Sequence, residues 1–194
     1  VTGFSTVVGN YDIQNSSGKI TTGIVTTGTL NVGTGGTVVT VLNSVGVGSV
    51  GIGSTLPTAT LDVGGHTKFK TYSEAVASPS ISANEVTLDL SAAQSFMITA
   101  SDDINAFVLT NAPSGSTSFT VKILQDSTGG HSVGIDTFKN SSGTAIPVYW
   151  PGGGVLPIVT TTADRADIYS FKLFDGDNVT SSGLYGVVGG QNFA

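Results

Sequence analysis

The chain has 194 residues, of which 10% are charged, with a formal net charge of −6 and no cysteine. The absence of cysteine excludes a disulfide framework and a thiolate metal site. The 7 Lys and Arg residues are few and scattered, which argues against a nucleic-acid partner. The 39% hydrophobic content predicts a packed chain rather than a disordered one, and the sequence contains no apolar run long enough to predict membrane insertion.

Residues 1–45 contain short apolar pairs, such as Val7-Val8 and Ile24-Val25, separated by Gly, Asn and Ser turn signals. Val, Ile and Thr are restricted at χ1 and Gly weakens a helix interior, so this composition disfavours a helix. The segment also has too few large side chains for a core of its own. We therefore predict a β-rich fibre shaft in which three copies of the chain share one core. The alternative is a flexible tether.

Residues 46–83 form a predicted joint and connecting segment. Pro57 holds Leu56 extended, and residues 60–63 alternate polar and apolar side chains like a half-buried strand. Residues 66–82 have the weakest pattern, which predicts a loop with one short strand or helical turn.

Residues 84–194 carry strand patterns at short spacing without helical periodicity, which is typical of a sandwich or jelly roll. The predicted strands are residues 86–90, 95–100, 104–110, 118–124, 131–135, 146–150, 156–160, 166–174 and 184–188. The predicted core consists of Phe96, Ile98, Phe107, Leu109, Phe119, Val121, Ile123, Ile168, Phe171 and Leu173. The fold class is thus predicted as all-β, with an extended trimeric β-fibre segment followed by a globular β-sandwich (jelly-roll-like) head domain over residues 84–194.

Several motifs resemble those of tail-fibre and virion appendage proteins of tailed phages, in particular a fibre C-terminal domain of marine cyanophages. They occur in order over most of residues 46–194: the joint at 47–65, Leu-Asp-Leu-Ser-Ala-Ala-Gln-Ser-Phe at 88–96, Gln-Asp-Ser-Thr-Gly-Gly-His at 125–131, Trp-Pro-Gly-Gly at 150–153, Val-Thr-Thr-Thr at 159–162, Asp-Ile-Tyr-Ser-Phe at 167–171 and Val-Val-Gly-Gly-Gln-Asn-Phe-Ala at 187–194. The resemblance implies a homotrimeric β-fibre on a virion, joined to other tail proteins, that contacts a host cell-surface glycan or protein. This chain departs from it at residues 134–144, where an earlier Trp-Pro is replaced by Gly-Ile-Asp and a polar loop.

Two patterns suggest enzymatic chemistry but fall short of it. A G-x-S-x-G motif centres on Ser132, yet no His follows this serine as a hydrolase triad of that kind requires. The carboxylate pairs Glu74 with Glu85 and Asp164 with Asp167 have no feature that places them at the separation a glycosidase needs. We therefore predict that the protein is not an enzyme and has no catalytic residue and no cofactor.

Two further groups allow a binding interpretation. The acidic run at 175–178 could surround a calcium ion, but its spacing departs from an EF-hand loop and a hairpin turn explains it more simply, so no metal is predicted. Tyr149, Trp150 and Tyr185 could stack on a sugar ring if they faced outward. Because Trp150 belongs to a motif that looks like framework, a core or subunit contact is the favoured prediction for it.

The predicted function is non-enzymatic attachment to the host-cell surface by the distal domain of a trimeric tail fibre in the virion. Loops suit receptor contact because they vary while strands hold the scaffold, and three-fold repetition adds weak contacts together. The candidate receptor contacts are Ser127, Thr128, Lys139, Asn140, Ser141, Ser142, Asp177 and Asn178. The alternatives are a virion structural appendage of the neck, capsid or baseplate without receptor contact, and a glycan-degrading tailspike.

Overall fold

The computed structural model describes residues 50–52 and 59–194. The shaft predicted for residues 1–45 lies outside the described residues, and so does the Leu56-Pro57 pair of the joint. The chain divides into a first unit that ends at Lys68 and a second that starts at Phe69 and ends at Ala194.

In the first unit, β1 (Val50–Ile52) pairs in parallel with β2 (Leu61–Val63). The strand predicted over residues 60–63 is therefore confirmed.

The second unit consists mainly of short strands, with two helical turns. Its strands are β3 (Val76–Ala77), β4 (Ile81–Ser82), β5 (Glu85–Asp89), β6 (Ser95–Ala100), β7 (Ala106–Thr110), β8 (Thr117–Gln125), β9 (Phe138–Asn140), β10 (Ala145–Ile146), β11 (Val148–Tyr149), β12 (Ala166–Leu173) and β13 (Leu184–Phe193). The helical turns are α1 (Pro151–Gly154) and α2 (Val179–Ser182). Strands β6, β8 and β12 alternate buried and more exposed side chains, as expected for strands with one face in a core.

The strands form two mixed sheets. One has five strands in the order β10-β9-β7-β5-β4, and the other has six in the order β11-β13-β12-β8-β6-β3. Strands β5, β7 and β9 are parallel neighbours, as are β6 and β8, whereas β8, β12 and β13 are antiparallel. The predicted all-β class is confirmed in this form.

The chain alternates between the sheets from β5 to β9, which gives the second unit two distinct ends. Strands β5, β7 and β9 run one way in the five-stranded sheet, and β6 and β8 return in the six-stranded sheet. We call the end with connections 90–94, 111–116 and 174–183 the near end, because residues 72–75 at the start of this unit line a groove with residues 90–94. The opposite end, with connections 101–105 and 126–137, is the far end.

Phenylalanine side chains join the two sheets. Phe107 and Phe138 are paired in the five-stranded sheet with ring centroids 5.1 Å apart, and Phe119 and Phe171 are paired in the six-stranded sheet with centroids 5.2 Å apart. The two pairs meet where Phe138 and Phe171 lie 5.0 Å apart. The predicted core is confirmed except for Ile168, which is only partly buried because its position in β12 faces the outside of the sheet.

Two predicted strands are wrong in part, and one is wrong entirely. Residues 131–135 contribute a single bridge from Val133 to Ile104, since the backbone of His131 is bonded to a side chain instead of a neighbouring strand. Residues 156–160 form no strand. Residues 146–150 are divided into β10 and β11 by Pro147, which has no N–H to donate to a ladder.

Candidate functional site

The loop with Ser127 and Thr128 directly follows β8 at the far end. Asp126 Oδ1 accepts hydrogen bonds from the backbone N–H groups of Gly129 and Thr128, each at 2.9 Å. The bond from Gly129, assisted by that from Thr128, holds the pKa of Asp126 below its usual range. Ser127 and Thr128 remain exposed, so the loop presents both hydroxyl side chains on an anchored backbone.

A buried amide fixes the other side of this loop. Gln125 Nε2 donates to the carbonyl of His131 at 2.9 Å, and Gln125 Oε1 accepts from the N–H of His131 at 3.1 Å. Gly130 also donates its N–H to the carbonyl of Thr161 at 2.7 Å. Gln125 is not among the site residues predicted from the sequence. The available signal is an amide side chain at the inward-facing last position of a strand, directly before a turn.

Lys139, Asn140, Ser141 and Ser142 follow the five-stranded sheet into the β9–β10 turn. Lys139 forms an ion pair with Glu85. Asn140 Oδ1 accepts from the backbone N–H of Ser142 at 3.0 Å and stabilises the turn. Ser141 and Ser142 are exposed, whereas Lys139 and Asn140 have structural partners.

Asp177 and Asn178 lie in the connection from β12 to β13. Asp175 Oδ1 accepts from the backbone N–H groups of Asp177 at 3.1 Å and Asn178 at 3.3 Å. Strands β12 and β13 pair in antiparallel register up to Leu173 and Leu184, which confirms the hairpin interpretation. Within the residues that the structure describes, no three His, Asp or Glu side chains are grouped so that they could hold a metal ion.

The eight candidate contacts do not form one site. Asp177 and Asn178 lie at the near end, where Gly176 donates its N–H to the carbonyl of Gly115 at 2.9 Å. The turn at 141–142 lies on the same side, because it follows β9, which is parallel to β7 and ends beside it. Ser127 and Thr128 are separated from both by the nine residues of β8, a length of about 26 Å.

The residues of the G-x-S-x-G motif have structural partners. Ser132 donates its backbone N–H to Asp103 Oδ1 at 2.7 Å, and this bond lowers the pKa of Asp103. The ring of His131 lies 3.3 Å from Asp126 Oδ1. The first contact joins the two far-end connections to each other, and the second lies within the connection at residues 126–137.

The two acid pairs are also accounted for by structure. Glu74 Oε2 accepts from the Ser95 hydroxyl at 2.9 Å beside the six-stranded sheet, whereas Glu85 pairs with a lysine of the five-stranded sheet. Asp164 is exposed, while Asp167 is only 1% exposed. The members of each pair therefore occupy different environments.

Asp167 is the centre of a buried hydrogen-bond network. It accepts from the N–H of Thr160 at 2.7 Å, the hydroxyl of Tyr169 at 2.9 Å and the N–H of Asn192 at 2.9 Å. Burial alone would raise the pKa of Asp167, but the hydrogen bonds from Thr160 and Asn192 outweigh burial and lower it. Burial and the neighbouring carboxylate raise the pKa of Tyr169. The network attaches the C-terminal residues to β12.

The three aromatic residues singled out in the sequence differ in position. Trp150 is buried, with its ring 5.7 Å from Phe171 and 6.2 Å from Tyr169, so the core prediction for Trp150 is confirmed. Tyr149 and Tyr185 face outward and are 46% and 45% exposed.

These two tyrosines belong to a row across the outer face of the six-stranded sheet. Tyr149 is paired with Tyr185, Tyr185 with Lys172, and Lys172 with Ser118. The tyrosine rings lie 5.0 Å apart, and the ring of Phe174 meets that of Tyr185 at 5.3 Å and 83°.

We call Tyr149, Phe174 and Tyr185 the aromatic platform. Lys172 Nζ lies 5.8 Å from the centroid of the Phe174 ring. Neither Phe174 nor Lys172 is among the site residues predicted from the sequence, although the two-residue period of β12 indicates that Lys172 faces the side opposite to the core residue Phe171.

No protein-family model, no curated protein and no solved structure matches this chain. In the described part of the chain, neither helical turn has the length and apolar character of a membrane-crossing helix.

Proposed function

We propose that this chain is the distal part of a homotrimeric tail fibre of a tailed phage, which attaches the virion to a host cell-surface glycan or protein without enzymatic chemistry. The motifs quoted above support this proposal, together with an apolar surface on the second unit. The jelly-roll-like character of the head and the β-fibre before it are part of the same proposal. The antiparallel run β8-β12-β13 is compatible with such a head.

The observation that carries the proposal is the exposed apolar loop at residues 155–158. Val155, Leu156 and Ile158 are 70%, 53% and 89% exposed. The loop is held in place, because the Gln191 side chain donates a hydrogen bond to the carbonyl of Ile158. Large apolar side chains fixed together on a surface are typical of an interaction site.

Strand β13 supports a second copy as the occupant of this surface. Its neighbour β11 pairs only with its first two residues, Leu184 and Tyr185. The remaining length of β13 therefore has one edge without a paired strand in the described sheet. Exposed edges of this kind are covered in stable proteins, and a homotrimer covers the edge and the apolar loop of each copy together.

The attachment part of the proposal is supported by the far-end loop. Ser127 and Thr128 are exposed on a backbone anchored by Asp126 and Gln125. They lie opposite the end where the second unit begins, so they are the candidate contacts farthest from those first residues. Three copies of a weak contact raise the apparent affinity through effective concentration.

The oligomeric part is tested by replacing Ile158 with Asp. We expect the wild-type chain to sediment as a trimer and Ile158→Asp to sediment as a folded monomer, because a buried carboxylate without a partner is strongly unfavourable. Met97→Asp is the matched control, since Met97 is 49% exposed on the outer face of β6. A wild-type chain that is monomeric at micromolar concentration would contradict the proposal.

The attachment part is tested with fluorescently labelled wild-type protein on a panel of cyanobacterial strains. We expect strain-selective binding that resists washing. Equal binding to every strain, or binding to none, would count against a receptor-binding role. Antibody labelling of intact virions at the neck or capsid would favour the structural-appendage alternative.

A further inference from the structure

We propose that the aromatic platform is a saccharide-binding site for a sugar that carries a carboxylate or sulfate group. The inference rests on the proposed attachment function and deepens it by naming a ligand class and a site. The proposed contact lies on the outer face of the six-stranded sheet, close to the near end and away from the loop at residues 127–128.

The first observation is the arrangement of aromatic rings. Phe174 and Tyr185 meet at 83°, so they do not cover each other face to face, and they are 60% and 45% exposed. Tyr149 supports Tyr185 from the neighbouring strand. Exposed rings of this kind offer a flat apolar surface to the C–H faces of a sugar ring.

The rings are held by the fold. Gly183 has φ +69, and a Cβ at this position would lie 2.7 Å from both the carbonyl oxygen of Pro147 and Cε2 of Tyr149. Glycine therefore leaves the space that the Tyr149 ring occupies. A site that is formed before ligand arrives loses less entropy on binding.

The second observation is a set of polar side chains in the groove beside the rings, whose exposed lining is otherwise mostly apolar. Ser118, Ser170 and Lys172 line this groove together with Phe174 and Tyr185. The Ser170 hydroxyl shares a hydrogen bond of 3.2 Å with Thr120. Hydroxyl and ammonium groups next to an aromatic wall match the hydroxyl groups and the apolar ring face of a sugar.

The charge of Lys172 selects the class of sugar. Among residues 59–194, the ion pairs of the structure involve His131 and Lys139, and no carboxylate pairs with Lys172. Its ammonium group lies over Phe174 in a chain of net charge −6. A lysine without an acidic partner beside an aromatic wall favours an anionic substituent on the ligand.

The test is affinity electrophoresis of the full chain in native gels that contain polygalacturonate, alginate or carrageenan, with dextran as the neutral probe. We expect retardation of the wild-type protein by at least one anionic polysaccharide, weaker retardation by dextran, and a weaker effect at high salt because salt screens the lysine. Tyr185→Ala and Lys172→Gln should each weaken the apparent affinity by about tenfold or more, as truncation of an anchoring group does.

Two matched variants serve as controls. Lys122→Gln removes a lysine from the same sheet face, at the row that contains Ile168 and Met97. Tyr72→Ala removes an exposed tyrosine outside the platform. Both should be retarded like the wild type. If Tyr185→Ala fails to fold in a thermal unfolding assay, Lys172→Gln provides the test alone.

Four results would overturn the inference. The first two are no retardation by any of the three anionic polysaccharides and equal retardation by dextran. The third is an equal loss of apparent affinity in the Lys122→Gln control. The fourth is dissociation of the oligomer by Tyr185→Ala, which would make the platform a subunit interface. Cell binding separates this inference from the proposed function. If the wild type binds cells and Tyr185→Ala and Lys172→Gln bind them equally well, the role of the platform is refuted but attachment is not. If the wild type is retarded in the gels but does not bind cells, attachment is refuted but the platform is not.

Discussion

Replacing Asp167 with Asn should destabilise the second unit by about 2–4 kcal/mol near neutral pH. The carboxylate accepts hydrogen bonds from the backbone of Thr160 and Asn192, from the Tyr169 hydroxyl and, at 3.3 Å, from Gln191 Nε2. An Asn side chain has one acceptor oxygen, so its NH₂ group would face a donor. Hydrogen bonds to a charged group contribute about 1.5–3 kcal/mol and a buried unpaired donor costs about 1–3 kcal/mol. The melting temperature should fall by about 10 °C.

The pH dependence gives this prediction a second signature. Burial alone would raise the pKa of Asp167, but the hydrogen bonds from Thr160 and Asn192 leave it below its usual value. A carboxyl group with a lowered folded pKa contributes stability above its unfolded pKa, about 3.9 for Asp, and loses it as the pH falls through the folded pKa. The difference between wild type and Asp167→Asn should thus be constant from about pH 7 to 5 and shrink below about pH 4.

The measurement is urea unfolding of the wild type and the variant at a series of pH values. Asp164→Asn is the matched control, because Asp164 is exposed and undergoes the same chemical change three residues away; its effect should stay within about 0.5 kcal/mol. An Asp167→Asn variant as stable as the wild type at pH 7, or a difference that does not change down to pH 2, would refute the role of the buried network.

Two further substitutions test the supports of the loop and of the platform. Gln125→Leu should lose both hydrogen bonds to the backbone of His131, which should lower the free energy of unfolding by about 2–4 kcal/mol. It should also accelerate hydrogen exchange of the His131 amide. An unchanged exchange rate would show that the Gln125 side chain is not needed to hold the loop. Gly183→Ala should cost about 1–3 kcal/mol in backbone strain plus the clash of the added Cβ with the Pro147 carbonyl and the Tyr149 ring, measured by thermal unfolding. Gly130→Ala is its control, because Gly130 has φ +84 but no atom within 4 Å of an added Cβ. Equal losses in the two glycine variants would mean that neither close contact at Gly183 has an effect.

The strands with a clear two-residue period could be predicted from sequence because each places large apolar side chains on one face. Strand β6 has the predicted bounds, β8 extends one residue beyond its predicted bounds at each end, and β12 ends one residue earlier than predicted. Ile168 shows the limit of this reasoning. It is apolar, yet its position in the alternation faces outward between the buried Asp167 and Tyr169. The apolar character of Ile168 predicts burial wrongly, whereas the two-residue period of β12 places it correctly on the outer face.

The pairing of strands could not be predicted, because it depends on contacts distant in the sequence. Nothing local indicates that β5 is followed by a strand of the other sheet and then pairs with β7. The candidate loops could be predicted from their turn residues. Their separation by the length of β8 could not be predicted, because it too depends on the pairing of strands. The aromatic platform combines Tyr149, Phe174 and Tyr185 from three chain segments that only the β11-β13-β12 order brings together.

The two proposed surfaces share β13 but occupy different parts of it. Tyr185 is its second residue, whereas Gln191, which holds the apolar loop through the carbonyl of Ile158, is near its end. Tyr185 lies opposite Lys172 and Gly190 opposite Ile168, four residues along β12, so at least about 13 Å separates the two parts. Under the proposed trimer, we therefore expect a substitution in the apolar loop to change the number of linked copies without altering a platform. We expect a substitution in the platform to weaken each copy without changing their number. Multivalent binding depends on the number of linked copies and, independently, on the affinity of each site. If Ile158→Asp loses cell binding while its gel retardation per chain is unchanged, the loss is therefore due to the smaller number of linked copies and not to a weaker site.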